Sequence, residues 1–595
     1  MFDLNHYWAI DVLINIYSTN FVLAKYLIKL MTNKLKLYNY WNQLYPHLPA
    51  DKLDVFISNI SVSDKKEVSK GWFKDAIVYS LYVNLYNEDF NGLTEKLDYI
   101  KNLGINCLWL LPILQSPMRD AGFDISKYDR IRPSLLGLSD ESTRDDQEVV
   151  FGSFLEEAHK RGIRVIFDVA INHTSDEHPW FIDSQKKEVN EYTDYYIWSD
   201  KPDKYRDARI LFKGIEKSNW EKLDDKYYFH RFFSFQPDLN YRNPDVLLAM
   251  TRNLLYWQKN GVDGFRADAI PYLWKEDGTN CENLEMTHII VKFFRAALEY
   301  VNPETLLLAE ACQEPKEVVK YLGNNDECHA AYHFPLMPMI YKSIASANSE
   351  PIKHILSNAF TPEISDSNQW FTFLRVHDEL SLELVYVSEE DRKYIYDSYC
   401  HDASWDFRVG EGISARLSEL MQKNVDKIGL AYSIMLTLLG TPVIYYGDEF
   451  GKLNDKKYYY NQIKQTGKDD TRFLVRGKID WMNVEQDLKK EDNFHSQVFG
   501  MISSMLNTRK DFTSFGRGDL NFIDVVADKP HEILSYVRKY LDEKILVLNN
   551  LSAEKQLLKT PLPDNNLAVL NMNGFVMAND DIILEAHGFA WLLVI

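Results

Sequence analysis

From residue 72 onward, short runs of β-branched and aromatic residues alternate with longer stretches whose apolar positions recur at helical spacing. The short runs fall at residues 77–85, 105–111, 165–169, 264–267, 306–309, 333–336, 371–375 and 442–446. The stretches 93–103, 154–161, 247–259, 287–300 and 414–438 carry the apolar stripe of a helix packed on one face. Eight strands interleaved with helices predict an α/β chain folded as a (β/α)8 barrel over residues 71–515. In such a barrel the reactive side chains sit where strands end.

Three regions break the alternation. The interval 172–262 is far longer than an ordinary strand-to-helix connection, and its middle is dense in aromatic and charged residues, so an inserted lobe is predicted at 173–240 after strand 3. Residues 1–70 predict an N-terminal helical extension closed by a polar connector at 61–66, packed on the barrel or at a subunit contact; a homo-oligomer stays open. Beyond about residue 519 short alternating runs follow, predicting a C-terminal antiparallel β domain over 516–595, arranged as a sandwich.

Composition narrows the partners. A formal net charge of -20 opposes binding to nucleic acid or to an anionic membrane. Five cysteines, scattered and odd in number, fit free thiols in a reducing compartment, so a cytoplasmic location is expected. The apolar stretch 8–31 is interrupted by Asp11, Lys25 and Lys29, which predicts an amphipathic helix rather than a membrane span.

The candidate chemistry lies at the strand ends. Arg266 and Asp268 are two residues apart on one strand, so their side chains project to the same side. A guanidinium there keeps the carboxylate ionised and available as a nucleophile. Alone, the pair reads equally as an ordinary ion pair. Other predicted strands end in Asp168 to His173, Glu310, and Arg375-Val376-His377-Asp378. Asp268, Glu310 and Asp378 together suit α-glucoside chemistry: one carboxylate attacks the anomeric carbon, a second donates and then removes a proton, and a third balances positive charge on the ring.

These segments resemble the conserved regions of the α-amylase superfamily of retaining α-glucoside enzymes. Gln236-Pro237-Asp238-Leu239-Asn240, Gly122-Phe123-Asp124-Ile125 and the run 440–449 are similar to further signatures of that family. The resemblance implies Asp268 as nucleophile, Glu310 as acid/base and Asp378 as transition-state stabiliser. It implies sugar contacts from Asp124, Phe123, His173, Arg266, His377 and Arg375. Within the superfamily, Pro271-Tyr272-Leu273 and the runs 230–234, 278–284 and 326–338 resemble trehalose synthases, which interconvert maltose and trehalose in one closed pocket. A disaccharide is thus the expected partner. A hydrolase of α-glucosides on the same scaffold stays open, as does a catalytically inactive binding or scaffolding barrel, although retention of all three carboxylates argues against the latter.

The sequence departs from the family at three places. Val376 replaces the asparagine usual before His-Asp, Phe123 replaces a tyrosine, and the run 468–481 lacks the usual Arg-Thr-Pro-Met-Gln-Trp, so acceptor-side contacts are not carried over. The resemblance also implies a calcium near Asn172, Asp238 and the carbonyls of Tyr272 and Leu273, completed by a glutamate shortly after the leucine. Lys275 stands there, and an ammonium cannot ligate calcium. No cofactor is therefore expected, with the lysine charge replacing the ion; an alignment in which Glu276 supplies the ligand stays open.

Overall fold

Eight parallel strands close a barrel: β1 (Val78–Leu81), β2 (Cys107–Leu110), β3 (Arg164–Ala170), β4 (Gly264–Asp268), β5 (Leu306–Ala309), β6 (Ala330–Tyr332), β7 (Gln369–Phe373) and β8 (Thr441–Tyr445). Each strand pairs with its sequence neighbours, and β8 returns to β1 with Val78 opposite Val443. This is a computed structural model, and it describes residues 21–60, 71–212, 215–562, 566–578 and 581–595. Strands β1, β2, β5, β6, β7 and β8 are buried along their whole length, as expected where helices cover the outside and side chains fill the inside.

Two strands depart from the sequence pattern. The apolar run 77–85 is strand only to Leu81, and Val83–Asn87 coils into a short helix. The sixth strand is Ala330–Tyr332 rather than 333–336. Two alanines carry no β-branched or aromatic signal, while Pro335 leads into the helix Leu336–Ser346, where its fixed φ and missing N–H cost nothing. Two helical stretches are likewise divided. Phe90–Glu95 and Leu97–Leu103 meet at Lys96, and Leu417–Leu420 is separated from Val425–Thr437 by Asn424, whose side chain accepts from Lys427 N at 2.9 Å and opens the second helix.

The inserted lobe carries a three-stranded antiparallel sheet, Trp198–Ser199, Lys226–Phe229 and Trp220–Leu223, around a small cluster of Ala208, Trp220, Phe229 and Cys281. Its far end returns to the barrel through a bridge pairing His173 with Asp238, where Leu239 N donates to Asn172 O at 2.9 Å. The helix Phe21–Leu44 packs on Glu285–Val301 and buries Leu37, Tyr40, Trp41 and Leu44. Of the helix expected at 8–31, residues 8–20 lie outside the described residues, as does the connector 61–66.

The C-terminal strands form one continuous seven-stranded sheet, not the two separately bonded sheets of the expected sandwich. Alternation explains how one sheet suffices. Leu534, Tyr536, Ile545, Val547, Phe589 and Trp591 face the barrel core, while Ile533, Val537, Leu546, Leu548, Ala590 and Leu592 face a second core that also takes in Ile582 and Leu584. The long strand Asp581–Val594 pairs with three others and lets the sheet wrap that second core. All five cysteines are free, and no helix among the described residues is long and apolar enough to cross a membrane.

Candidate active site

Arg266 organises the carboxylates. In register with Asp168 on β3 and Leu308 on β5, it points into the barrel mouth and places Nη1 2.7 Å from Asp168 Oδ1 and 2.6 Å from Asp268 Oδ1. Its Nη2 lies 3.9 Å from Glu310 Oε1. Asp168 is the buried anchor: burial pushes its carboxyl up to about 6 against the pull of Arg266, and Trp109 Nε1 donates to it at 2.8 Å. Just past Asp268 the chain turns sharply, with Ala269 in the left-handed region at φ 59°, and this aims Ala269 N at Glu310 Oε2, 3.0 Å away.

Burial is the largest influence on Asp268 and raises it well above the ordinary carboxyl range; Arg266 pulls it down and Glu310 pushes it up again. Arg266 bonds Asp268 directly and stands off from Glu310, and its charge opposes the effect of burial on Asp268 by favouring the ionised carboxylate.

Asp378 has the opposite environment. His377 Nε2 lies 3.0 Å from Oδ2, while Arg476 Nη2 and Arg472 Nη1 lie 2.8 and 3.1 Å from Oδ1. Burial alone would raise this carboxyl, but His377, Arg472 and Arg476 outweigh it and hold Asp378 well below the usual range. Burial pulls His377 itself down to about 3, against the opposing pull of Asp378. Phe123 stacks on the His377 ring with centroids 5.7 Å apart and also lies under the Arg266 guanidinium.

These groups open onto a cavity of about 480 Å³ lined by Arg266, Glu310, Val376, His377, Asp378 and Glu379, with Arg209, Phe212 and Phe232 from the lobe. That volume is in the range of roughly 300–1,000 Å³ typical of small-molecule sites. Asp268 stands beside it, its side chain 16% exposed. His173 is buried, its ring 5.0 Å from Phe232 and its pKa pulled down to about 4 by burial.

None of Phe123, His173, Asp124 and Arg375 is among the residues that line this cavity. Asp124 is fully buried, its oxygens accepting from Ser116 Oγ at 2.7 Å and Arg119 N at 3.0 Å, and it holds its own loop together. Arg375 lies two residues beyond the end of β7, buried behind the cavity, and donates from Nη2 to the Asp378 carbonyl at 2.6 Å. It positions Asp378 rather than lining the pocket.

Sequence reasoning left out Arg472, Arg476, Glu379, Arg209 and Glu282. Arg472 and Arg476 belong to the atypical run 468–481, nearly a hundred residues after the carboxylate they hold. Glu379 follows Asp378, lines the cavity and is pushed up to about 7 by burial and then by its neighbour. Arg209 on the lobe pairs with Glu282 at 2.8 Å, and Glu282 also holds the buried Arg231 and accepts from Gln313 at 3.3 Å. This network ties the lobe across the cavity to the loop after β4.

The sequence profile of the α-amylase catalytic domain matches residues 59–515, a span that contains every barrel strand and every group described above. The chain belongs to the α-amylase family. A trehalose synthase/amylase of Mycolicibacterium smegmatis is 38% identical over 565 residues, covering 87% of this chain and 92% of that protein. A trehalose synthase of a Pimelobacter species is 37% identical over 568 residues, covering 87% and 95%. Among solved structures, the α-amylase from H. orenii superposes with a TM-score of 0.68 at 23% identity, covering 88% of this chain and all of that one, a likeness of fold.

The calcium position implied by family resemblance is not built for calcium in this α-amylase-family chain. Lys275, 3% exposed, places Nζ 2.7 Å from Asp238 Oδ2 and 2.8 Å from Asn172 Oδ1. Calcium needs six to eight oxygens at about 2.3–2.6 Å, and here a cation of the protein itself stands between the two side chains that would supply them. Glu276, the alternative ligand, is exposed on the surface.

Proposed function

We propose that the protein is a retaining intramolecular transglucosidase that interconverts maltose and trehalose, working inside the cell on the free disaccharides. The observation that carries this reading is the arrangement around one guanidinium: Asp268 bonded to Arg266, and beside it Glu310, aimed by Ala269 N. The likeness to trehalose synthases over most of the chain supports the choice of sugars.

Glu310 donates its proton to the glycosidic oxygen of maltose while an Asp268 oxygen attacks the anomeric carbon from the opposite face, so the C–O bond to the second glucose breaks as the ester forms. Asp378, held as an anion, balances the positive charge that builds on the ring. The released glucose turns within the cavity. Its anomeric hydroxyl then attacks the same carbon, Glu310 takes that proton, and the Asp268 ester bond breaks to give the α,α-1,1 link. Two inversions retain the α configuration of the donor. The acceptor must present its own α-anomer.

The outcome depends on excluding water during the turn, because water at the same position gives hydrolysis. The Arg209–Glu282–Arg231 network closes the lobe over the cavity and holds glucose at high effective molarity. Product analysis after incubation with each sugar tests the reading: disaccharide isomer from either side supports it, and glucose as the only product refutes it in favour of a hydrolase.

A further inference from the structure

Three separate segments meet at one buried ammonium. Asn172 lies at the end of β3, two residues past Ala170; Asp238 closes the inserted lobe; Lys275 follows the turn after β4. Lys275 Nζ reaches Asp238 Oδ2 at 2.7 Å and Asn172 Oδ1 at 2.8 Å, and all three residues are 3% exposed or less. The lysine's own carbonyl accepts from Arg242 Nη2 at 2.9 Å, which ties its backbone to the chain leaving the lobe. Asp238 uses its other oxygen to accept from Arg231 N at 2.9 Å, and Arg231 is the buried partner of Glu282.

We propose that Lys275 is a built-in cation that does the positioning work of a calcium ion, so that the protein needs no metal at this place. An ammonium has three donors and one charge and can neutralise one carboxylate while donating to a neutral oxygen, which is the set present. A calcium ion would need several more oxygens, and the lysine stem fills the approach from the loop after β4. The point that Lys275 fixes is mechanical. Asn172 precedes His173, whose ring lies 5.0 Å from the cavity-lining Phe232, and the loop after β4 carries Tyr272, which lines the cavity. Holding both to the end of the lobe keeps the lobe, with Arg209, in place over the reacting groups. Lys275 does not line that cavity and touches none of Asp268, Glu310 and Asp378, so it is a positioning residue.

The exchange makes opposite demands on two variants. The wild-type enzyme, treated with EDTA and desalted, is expected to keep its thermal midpoint and its ratio of isomer to glucose, with well below one calcium per chain by elemental analysis. Lys275→Met leaves Asp238 buried without a cation; its midpoint falls, and kcat drops roughly 10–100-fold, the scale on which partners that orient a site act, with KM changing less and added calcium restoring neither. Lys275→Glu returns an acidic ligand beside Asp238 and Asn172, and millimolar calcium is expected to raise its midpoint and recover kcat, with EDTA reversing both.

Stoichiometric calcium in the wild type, lost to EDTA together with stability, overturns the proposal. So does a Lys275→Met enzyme with wild-type midpoint and kcat, or a Lys275→Glu enzyme indifferent to calcium. The metal content and the melting curves do not depend on which sugar is turned over. A failure of the transglucosylation reading would leave them intact.

Discussion

Arg266 Nη1 lies 2.6 Å from Asp268 Oδ1, two residues further along the same strand, and the same nitrogen reaches Asp168 on the neighbouring strand. Strand alternation makes the first contact, and barrel register makes the second. Replacing Arg266 by leucine removes the charge that favours ionisation of Asp268 against its burial. We expect kcat to fall about 10²–10³-fold, the scale of a lost preorganised electrostatic partner. The buried Asp168 also loses its cation, which costs about 3–5 kcal/mol of stability, read by denaturant unfolding.

The carboxylates predict a pH profile with a defined sign. Asp268 is raised by burial above the ordinary carboxyl value, so it protonates on the acid side earlier than a free aspartate with its pKa of about 4. Asp378 is depressed; the stability from its ion pairs is present above the unfolded pKa and is lost only as pH falls through the lower folded value. As pH falls below neutrality, activity should therefore be lost while the protein is still folded. Circular dichroism alongside kcat/KM checks this, and activity that falls only as the protein unfolds would count against it.

The barrel was legible because its chemistry and its strands coincide. Segments such as β3 and β4 combine an apolar run with a polar terminus, and both features survive in one dimension. The sixth strand was misplaced because Ala330 and Ala331 contribute small side chains with no propensity signal, whereas the neighbouring His-Phe-Pro-Leu looked stronger. Arg472 and Arg476 were illegible for a different reason: their partner is 94 and 98 residues away, and only closure of the fold brings them together. Arg375 shows the converse case. A polar residue near a strand end need not face the mouth, and its guanidinium turns behind Asp378.

Glu282 links the lobe to the loop after β4 through Arg209 and Arg231. Glu282→Gln keeps the shape and removes the charge, leaving Arg231 buried without its anion. The account expects a looser lobe and a higher share of glucose among products, seen as an increased glucose-to-isomer ratio at equal substrate consumed.

Gly264 opens β4 where two strands crowd it. A Cβ there would sit 2.6 Å from Leu306 Cβ, 2.7 Å from Leu306 O and 3.1 Å from Ile166 Cγ2. Because two of these atoms belong to or adjoin neighbouring backbone, Gly264→Ala must spread the barrel. A loss of about 1–3 kcal/mol in denaturant stability is expected, with kcat reduced because Arg266 and Asp268 ride on the same strand.

The central claim is that the glucose cleaved from maltose is recaptured before it leaves. The direct measurement is to convert unlabelled maltose in the presence of excess ¹³C-glucose and to read the label in the trehalose by mass spectrometry. Trehalose almost free of label is expected. Trehalose labelled in proportion to the free glucose pool would contradict it.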